Sequence, residues 1–111
     1  MADARPYSLR WLVAALLLGA IEARAASDGA VLYEKYCLAC HGPDGRPRTP
    51  AAKKLKVKDL TDNRLPDAEI ARQIANGKKD AGGKTRMPAF KPELADEEIA
   101  ALVGFVKSLR K

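Results

Sequence analysis

The chain has 111 residues, with 20 Lys and Arg against 14 Asp and Glu, one His and two Cys. This length suits one small domain, and small domains bury a limited share of their surface unless a metal, a cofactor or a disulfide supports them. The net charge of +6 does not indicate nucleic-acid binding, because no aromatic side chains interleave the basic runs to stack on bases.

The first 25 residues have the pattern of a secretory signal peptide. Two arginines precede an apolar run of 11 residues, Trp11–Ile21, and Ala23 and Ala25 are small residues at positions −3 and −1 of a cleavage site. A membrane-spanning helix needs about 20 apolar residues, so an uncleaved anchor is the weaker alternative. We predict a cleaved signal peptide over residues 1–25, a periplasmic location, and a single domain over residues 26–111.

The most specific motif is Cys37-Leu38-Ala39-Cys40-His41, which contains both cysteines and the only histidine of the chain. A Cys-x-x-Cys-His run is the attachment sequence of a c-type haem. The two thiols add to the two vinyl groups of one haem, and the adjacent imidazole ligates its iron. We therefore predict one covalently attached haem c, with Cys37 and Cys40 as attachment residues and His41 as the proximal iron ligand.

A helix is predicted around this motif, from residue 27 or 28 to residue 39, because apolar and small residues recur there at helical spacing. Gly42 and Pro43 end it, since glycine adopts the left-handed conformation of a helix stop and proline cannot continue a helix. The following residues, 43–63, are rich in proline and are predicted to be mostly loop, with at most a helical turn over residues 51–58.

Two further helices are predicted in the C-terminal half. The second spans about Pro66–Ala75, because proline suits a first helical position and Asn76-Gly77 is a stop signal. The third spans about Asp96–Leu109, with acidic residues at its start and basic residues at its end, as the helix dipole favours. Its apolar stripe is Ile99, Leu102, Val103, Val106 and Leu109. No segment alternates as a strand would, so the predicted fold class is all-α.

A glycine-rich loop between these two helices carries Met87, the only methionine besides the first residue. Gly82 and Gly83 let the backbone bend, and Pro88 fixes it directly after the methionine. A methionine opposite a histidine at haem iron is typical of electron-carrying cytochromes. Met87 is therefore predicted as the distal iron ligand. The alternatives are an open site or a lysine of this loop, namely Lys78, Lys79 or Lys84.

Together these motifs resemble the class I cytochromes c, in particular the small bacterial periplasmic proteins related to cytochrome c6 and the haem modules of bacterial oxidases. The resemblance extends over residues 27–111. It rests on Gly29, Tyr33, Cys37, Cys40, His41, Gly42, Asp59–Asp62, Ile74–Gly77, Met87–Phe90 and the region from Leu94 to Val106. It implies the cytochrome c fold, with three main helices and loops wrapped around one covalent haem.

The resemblance also implies roles for individual residues outside the haem motif. Gly29 would allow the first and last helices to cross closely. The proximal imidazole would bond to a proline carbonyl, with Pro50 preferred over Pro47, and this contact would orient the ring. Ala95 stands where Ser or Thr often caps the last helix, so either Asp96 caps it or its first turn frays.

Several function classes compete for a chain with this motif. The prediction is a one-electron carrier, not an enzyme, that serves respiratory or photosynthetic redox proteins in the periplasm or membrane. The alternative is a small haem peroxidase or gas sensor with a labile sixth ligand, although no second histidine is present for acid–base chemistry. A thiol–disulfide oxidoreductase usually places its motif at the start of a helix, whereas this one closes a helix. A structural zinc site requires four ligands, whereas this motif offers two cysteines and one histidine.

Two lysine clusters, at residues 53–58 and 78–86, are either a solvated face or a surface that steers the protein to acidic redox partners. Residues 26–111 carry 17 basic and 12 acidic side chains, a net charge of +5. We expect no nucleic-acid partner and no stable membrane anchor, and either a monomer or a subunit of a respiratory complex.

Overall fold

The computed structural model describes residues 28–111; the predicted signal peptide over residues 1–25 lies outside the described residues. Within this range the helices are α1 (residues 28–36), α2 (Leu38–His41), α3 (Pro50–Lys54), α4 (Asp67–Asn76) and α5 (Asp96–Ser108). A 3-10 turn covers Leu60–Asp62, and two short strands are β1 (Lys78–Lys79) and β2 (Thr85–Met87). No helix among these residues is both long enough and apolar enough to cross a membrane.

Helices α1 and α5 cross at Gly29. A Cβ atom at this position would lie 2.6 Å from the Ala101 carbonyl oxygen and 3.3 Å from Phe105 Cβ. Beside the crossing, the Tyr33 and Phe105 rings pack with their centroids 4.8 Å apart. Only a residue without a Cβ permits this approach of two backbones. The predicted close crossing of the first and last helices is therefore confirmed.

The core is formed by the facing apolar sides of α1, α4 and α5. Ile70 and Ile74 give α4 its buried edge, and four of the five residues in the predicted α5 stripe are buried. The fifth, Leu109, is partly buried. Burying one such side chain fully contributes about 1.5–3 kcal/mol. The buried cluster consists of Tyr33, Cys37, Ile70, Ile74, Leu94, Ile99, Leu102, Val103 and Val106.

The first predicted helix differs in detail from the structure. Helix α1 is interrupted at Cys37, and α2 then continues to His41 rather than ending at Ala39. The interruption is slight, because the Cys37 carbonyl accepts both the Cys40 and the His41 N–H groups at 3.2 and 2.9 Å. Gly42, with a φ of 83°, then ends the helix. The whole Cys-x-x-Cys-His motif therefore lies on one nearly continuous helical segment.

The prediction that no strand is present was wrong. Strands β1 and β2 pair antiparallel, with Lys78 opposite Met87 and Lys79 opposite Thr85. They are two and three residues long, too short to show an alternating pattern. The turn between them is closed by Asp80, whose carboxylate accepts the N–H groups of Gly82 and Lys84. Polar side chains that bond to the backbone in this way favour turns.

The start of α5 also differs from the prediction, because Asp96 does not cap it. Ala95 is the residue before the helix, and its N–H donates to the Glu98 carboxylate at 2.9 Å. This is the half of a capping box that does not need a side chain at the first position. Acidic residues in the first turn add a favourable interaction with the helix dipole.

Candidate haem-binding site

The two cysteines of the motif lie in different surroundings. Cys37 is buried in the core, whereas Cys40 is exposed, and both are free thiols. Burial, together with the neighbouring Cys40, raises the pKa of Cys37 to about 11. A thiol–disulfide oxidoreductase requires an accessible thiol whose pKa is lowered. Cys37 has the opposite properties, so the structure gives no support to that function class.

The His41 imidazole is oriented by a backbone carbonyl. Its Nδ1 donates to the carbonyl oxygen of Lys58 at 3.1 Å, and not to Pro50 or Pro47 as the resemblance implied. Burial lowers the pKa of His41, an effect that the bond to Lys58 partly offsets. Burial therefore favours the neutral ring, and the bond to the carbonyl places its proton on Nδ1. The lone pair of Nε2 is then available for a metal ion.

Lys58 reaches the histidine because of the turn that follows α3. Pro50 is the first residue of α3, so its carbonyl belongs to that helical turn. After the helix, Lys56 has a positive φ of 56°, and the Val57 N–H donates to the Ala52 carbonyl at 3.0 Å. This bond is characteristic of a Schellman motif, which reverses the chain at a helix end. The reversal brings the next residues back towards His41.

We expect Lys56→Gly to raise the free energy of unfolding by about 0.5–1 kcal/mol, because glycine adopts a positive φ without steric cost. The matched control is Lys54→Gly, at a helical position of the same α3, which should lower that free energy by about 0.5–1 kcal/mol. Denaturant unfolding of both variants checks the prediction. Equal destabilisation by the two substitutions would contradict it.

The end of the motif is also attached to α1. The Tyr33 hydroxyl donates to the Gly42 carbonyl at 2.5 Å. Burial, with a smaller effect of Cys37, raises the pKa of Tyr33 to about 12, so the hydroxyl remains a donor over the physiological range. A Cβ at Gly42 would lie 2.4 Å from the Arg46 carbonyl oxygen. The C-terminal end of the motif is therefore held by a hydrogen bond and by tight packing.

The segment that contains Met87 is attached to the end of α4. The Phe90 N–H donates to the Ile74 carbonyl at 3.0 Å, and the next N–H along the chain donates to the Ala75 carbonyl at 3.1 Å. Gly77, with a φ of 71°, passes so close that a Cβ there would lie 2.4 Å from the Met87 carbonyl oxygen. This part of the chain is therefore firmly placed although it contains little regular structure.

The structure brings the motif and the methionine segment to one core. Tyr36, next to Cys37, packs edge-on against Phe90 with ring centroids 5.6 Å apart. Cys37 is a member of the buried cluster, and the half-buried Met87 packs against the same cluster. Two thiols, an imidazole with a free Nε2 and a thioether are the donor set of a c-type haem. Further partly buried apolar side chains pack against the same cluster: Leu32, Leu38, Leu60, Phe90 and Phe105.

Comparison with known proteins identifies the family of this site. The family described as "Cytochrome C oxidase, cbb3-type, subunit III" matches residues 24–106. The chain belongs to this cytochrome c family. Its cofactor is a covalently bound haem c with iron, and its general role is electron transfer. The three-helix cytochrome c fold predicted from the sequence is confirmed.

Individual cytochromes c are similar over most of the domain. Cytochrome c6 of Leptolyngbya boryana is 35% identical over 82 residues, which are 73% of this chain and 88% of that protein. Cytochrome c-551 of Pseudomonas aeruginosa is 32% identical over 104 residues, which are 94% of this chain and 97% of that protein. The solved structure of the KustC0563 c-type cytochrome has a TM-score of 0.64 at 33% identity, and the match covers 75% of this chain and 98% of that one.

The same cytochrome c domain also occurs within larger proteins. The fructose dehydrogenase cytochrome subunit of Gluconobacter japonicus is 32% identical over 89 residues, which are 74% of this chain but only 18% of that protein. The similarity therefore extends to a module of a larger assembly as well as to small cytochromes.

Two contacts at this cytochrome c site were not predicted from the sequence. One is the Lys58 carbonyl that accepts from His41, and a backbone carbonyl has no signature in the residue types. The other is an ion pair between Asp80 and Arg86, with Nη2 and Oδ2 3.0 Å apart. Asp80-Ala81-Gly82-Gly83, an aspartate shortly before two adjacent glycines, is a turn signal, and it could have predicted the hairpin.

Proposed function

We propose that this cytochrome c domain is a one-electron carrier in which Cys37 and Cys40 hold the haem and His41 and Met87 ligate its iron. The observation that supports it most directly is the convergence of Cys37 and Met87 on one core, with His41 oriented beside them by the Lys58 carbonyl. The haem supplies the iron that alternates between the ferrous and ferric states. The protein keeps the ligands in place so that little rearrangement accompanies the change.

Met87 is a better candidate for the distal ligand than the lysines of the same loop. Its side chain is half-buried against the core, whereas Lys78, Lys79 and Lys84 are exposed. A thioether in this position favours ferrous iron and raises the reduction potential. It also fills the coordination site that oxygen or peroxide would need.

The peroxidase or gas-sensor alternative lacks a suitable polar group. Distal acid–base chemistry needs a free histidine or arginine, and the only histidine of the chain is the proposed proximal ligand. Arg86, which precedes Met87, is the nearest arginine in the sequence, but its guanidinium is paired with Asp80. These contacts favour electron transfer without catalysis.

We further propose export to the periplasm after cleavage of residues 1–25. The partners would be redox proteins of a respiratory or photosynthetic chain whose docking surfaces are acidic. Exposed lysines on α3 and on the hairpin support this choice of partner, because complementary charge increases the rate of encounter.

The proposal is tested by producing the chain together with a cytochrome c maturation system. We expect haem that survives denaturing electrophoresis, a low-spin reduced spectrum, and the weak far-red band of ferric iron bound to methionine. A high-spin spectrum that shifts when carbon monoxide is added would instead support the open-site alternative.

The paired variant Cys37→Ala/Cys40→Ala should lose all haem that resists denaturation, because no thiol remains to form a thioether. The control is Ala39→Ser, which changes an exposed residue of the motif and should retain the haem in full. Haem staining of a denaturing gel measures both. Covalent haem in the paired variant would show that attachment does not use this motif.

A further inference from the structure

The hairpin that carries Met87 contains an irregularity at Arg86. Lys78 is opposite Met87, but Lys79 is opposite Thr85, so Arg86 is the extra residue of a β-bulge. A bulge takes one residue out of the ladder and redirects its side chain. Bulges are frequent beside functional sites, where they re-aim a side chain or end the pairing. The redirected side chain here is a guanidinium immediately before the proposed distal ligand.

The Asp80 carboxylate receives that guanidinium and also closes the turn. Its Oδ1 accepts the N–H groups of Gly82 and Lys84 at 3.0 and 2.9 Å, and its Oδ2 lies 3.0 Å from Arg86 Nη2. Only 28% of the Asp80 side chain and 27% of the Arg86 side chain are exposed. Each carboxylate oxygen therefore has its own function, since one holds the turn and the other holds the arginine.

The same guanidinium extends beyond the hairpin to α3. Arg86 Nη1 donates to the carbonyl oxygen of Lys54, the last residue of α3, at 3.4 Å. Four residues later, the Lys58 carbonyl accepts from His41. Two hydrogen bonds and the four-residue stretch of backbone from Lys54 to Lys58 thus connect Arg86, next to Met87, with the imidazole of His41.

We propose that the Asp80–Arg86 pair is a positioning element that holds Met87 on the iron by bracing its hairpin against the end of α3, four residues before the Lys58 carbonyl that orients His41. This inference rests on the proposed function, in which Met87 is the distal ligand. A thioether is a neutral ligand and its retention depends on how firmly its loop is held. Without the brace, the hairpin opens more often and external ligands reach the iron during those openings.

The test uses the haem-bound protein and two substitutions that remove the ion pair. Asp80→Asn keeps an oxygen to accept the Gly82 and Lys84 N–H groups but removes the charge that pairs with Arg86. Arg86→Gln removes the other partner. The control is Lys53→Gln, which removes one positive charge from an exposed position on α3. The measurements are the rate at which imidazole binds the ferric protein and the hydrogen exchange of the Met87 amide.

We expect each single variant to bind imidazole about three- to fivefold faster, as a partly shielded ion pair would allow, and Lys53→Gln to match the wild type. The double variant should resemble Arg86→Gln, because the ion pair is already absent in that single variant. Hydrogen exchange of the Met87 amide should likewise be faster in these variants than in the wild type or in Lys53→Gln. Additive effects of the two substitutions, or rates equal to the control, would overturn the proposal.

Met87→Ala separates a failure of this inference from a failure of the proposed function. If Met87→Ala accelerates imidazole binding but Asp80→Asn and Arg86→Gln do not, Met87 is the ligand and the brace is refuted. If Met87→Ala leaves the rate unchanged, Met87 is not the ligand, and both the assignment and the brace are refuted.

Discussion

Met87→Ala is expected to change the domain from a closed electron carrier to one that binds carbon monoxide in the reduced state. The far-red ferric band should disappear, and the reduction potential should fall by roughly 0.1 V or more, within the ~0.8 V range that axial ligands cover. The reason is that alanine supplies no donor atom, and the lysines of the loop are exposed rather than packed against the core. Absorption spectroscopy and potentiometry measure these changes.

A second substitution at the same position makes the result specific. Met87→His should keep a low-spin, six-coordinate spectrum and exclude carbon monoxide, but it should also lose the far-red band and lower the potential. The two variants together separate loss of a ligand from loss of a thioether. If Met87→Ala retained the wild-type potential and spectrum, another side chain would be the distal ligand.

The sequence predicted the helices best where apolar spacing and helix-end signals agreed. Helix α4 was expected over about Pro66–Ala75 and is found over Asp67–Asn76. Helix α5 was expected over about Asp96–Leu109 and is found over Asp96–Ser108. In both, one apolar stripe faces the core and a stop signal or charge bias marks the end, so local and tertiary preferences point to the same structure.

The hydrogen-bond acceptor of His41 was not predicted correctly, because it depends on backbone geometry that residue types do not encode. The acceptor for His41 was expected at Pro50, a residue that instead begins α3. The true acceptor, Lys58, is brought into place by a turn in which Lys56 has a positive φ, a conformation that sequence reasoning reserves for glycine. The prediction of Pro50 as the acceptor therefore failed because of the unusual backbone conformation at Lys56.

The surroundings of Arg86 could not be predicted from its charge. From the sequence it belongs to a basic cluster on a solvated or docking surface. In the structure only 27% of its side chain is exposed and it is paired with Asp80, which lies six positions earlier in the chain. A hairpin brings them together, and its strands are too short to leave a periodic pattern.

Gly29→Ala is expected to destabilise the domain strongly. The new Cβ would lie 2.6 Å from the Ala101 carbonyl oxygen, which is backbone within α5. It cannot be relieved by a side-chain rotation, and α5 cannot move away without unpacking Leu102 and Val103 from the core. We expect the free energy of unfolding of the haem-bound protein to fall by about 3 kcal/mol.

Gly104→Ala is the matched control, because this glycine also lies in a helix but has no atom within 4 Å of its Cβ position. There the substitution should raise the free energy of unfolding by up to about 1 kcal/mol, since alanine is the better helix former. Denaturant unfolding followed by circular dichroism measures both. Similar changes in the free energy of unfolding for the two variants would mean that the α1–α5 crossing can accommodate a Cβ at Gly29. Changes in stability of opposite sign would show that α1, which leads into Cys37, is positioned by its close backbone contact with α5.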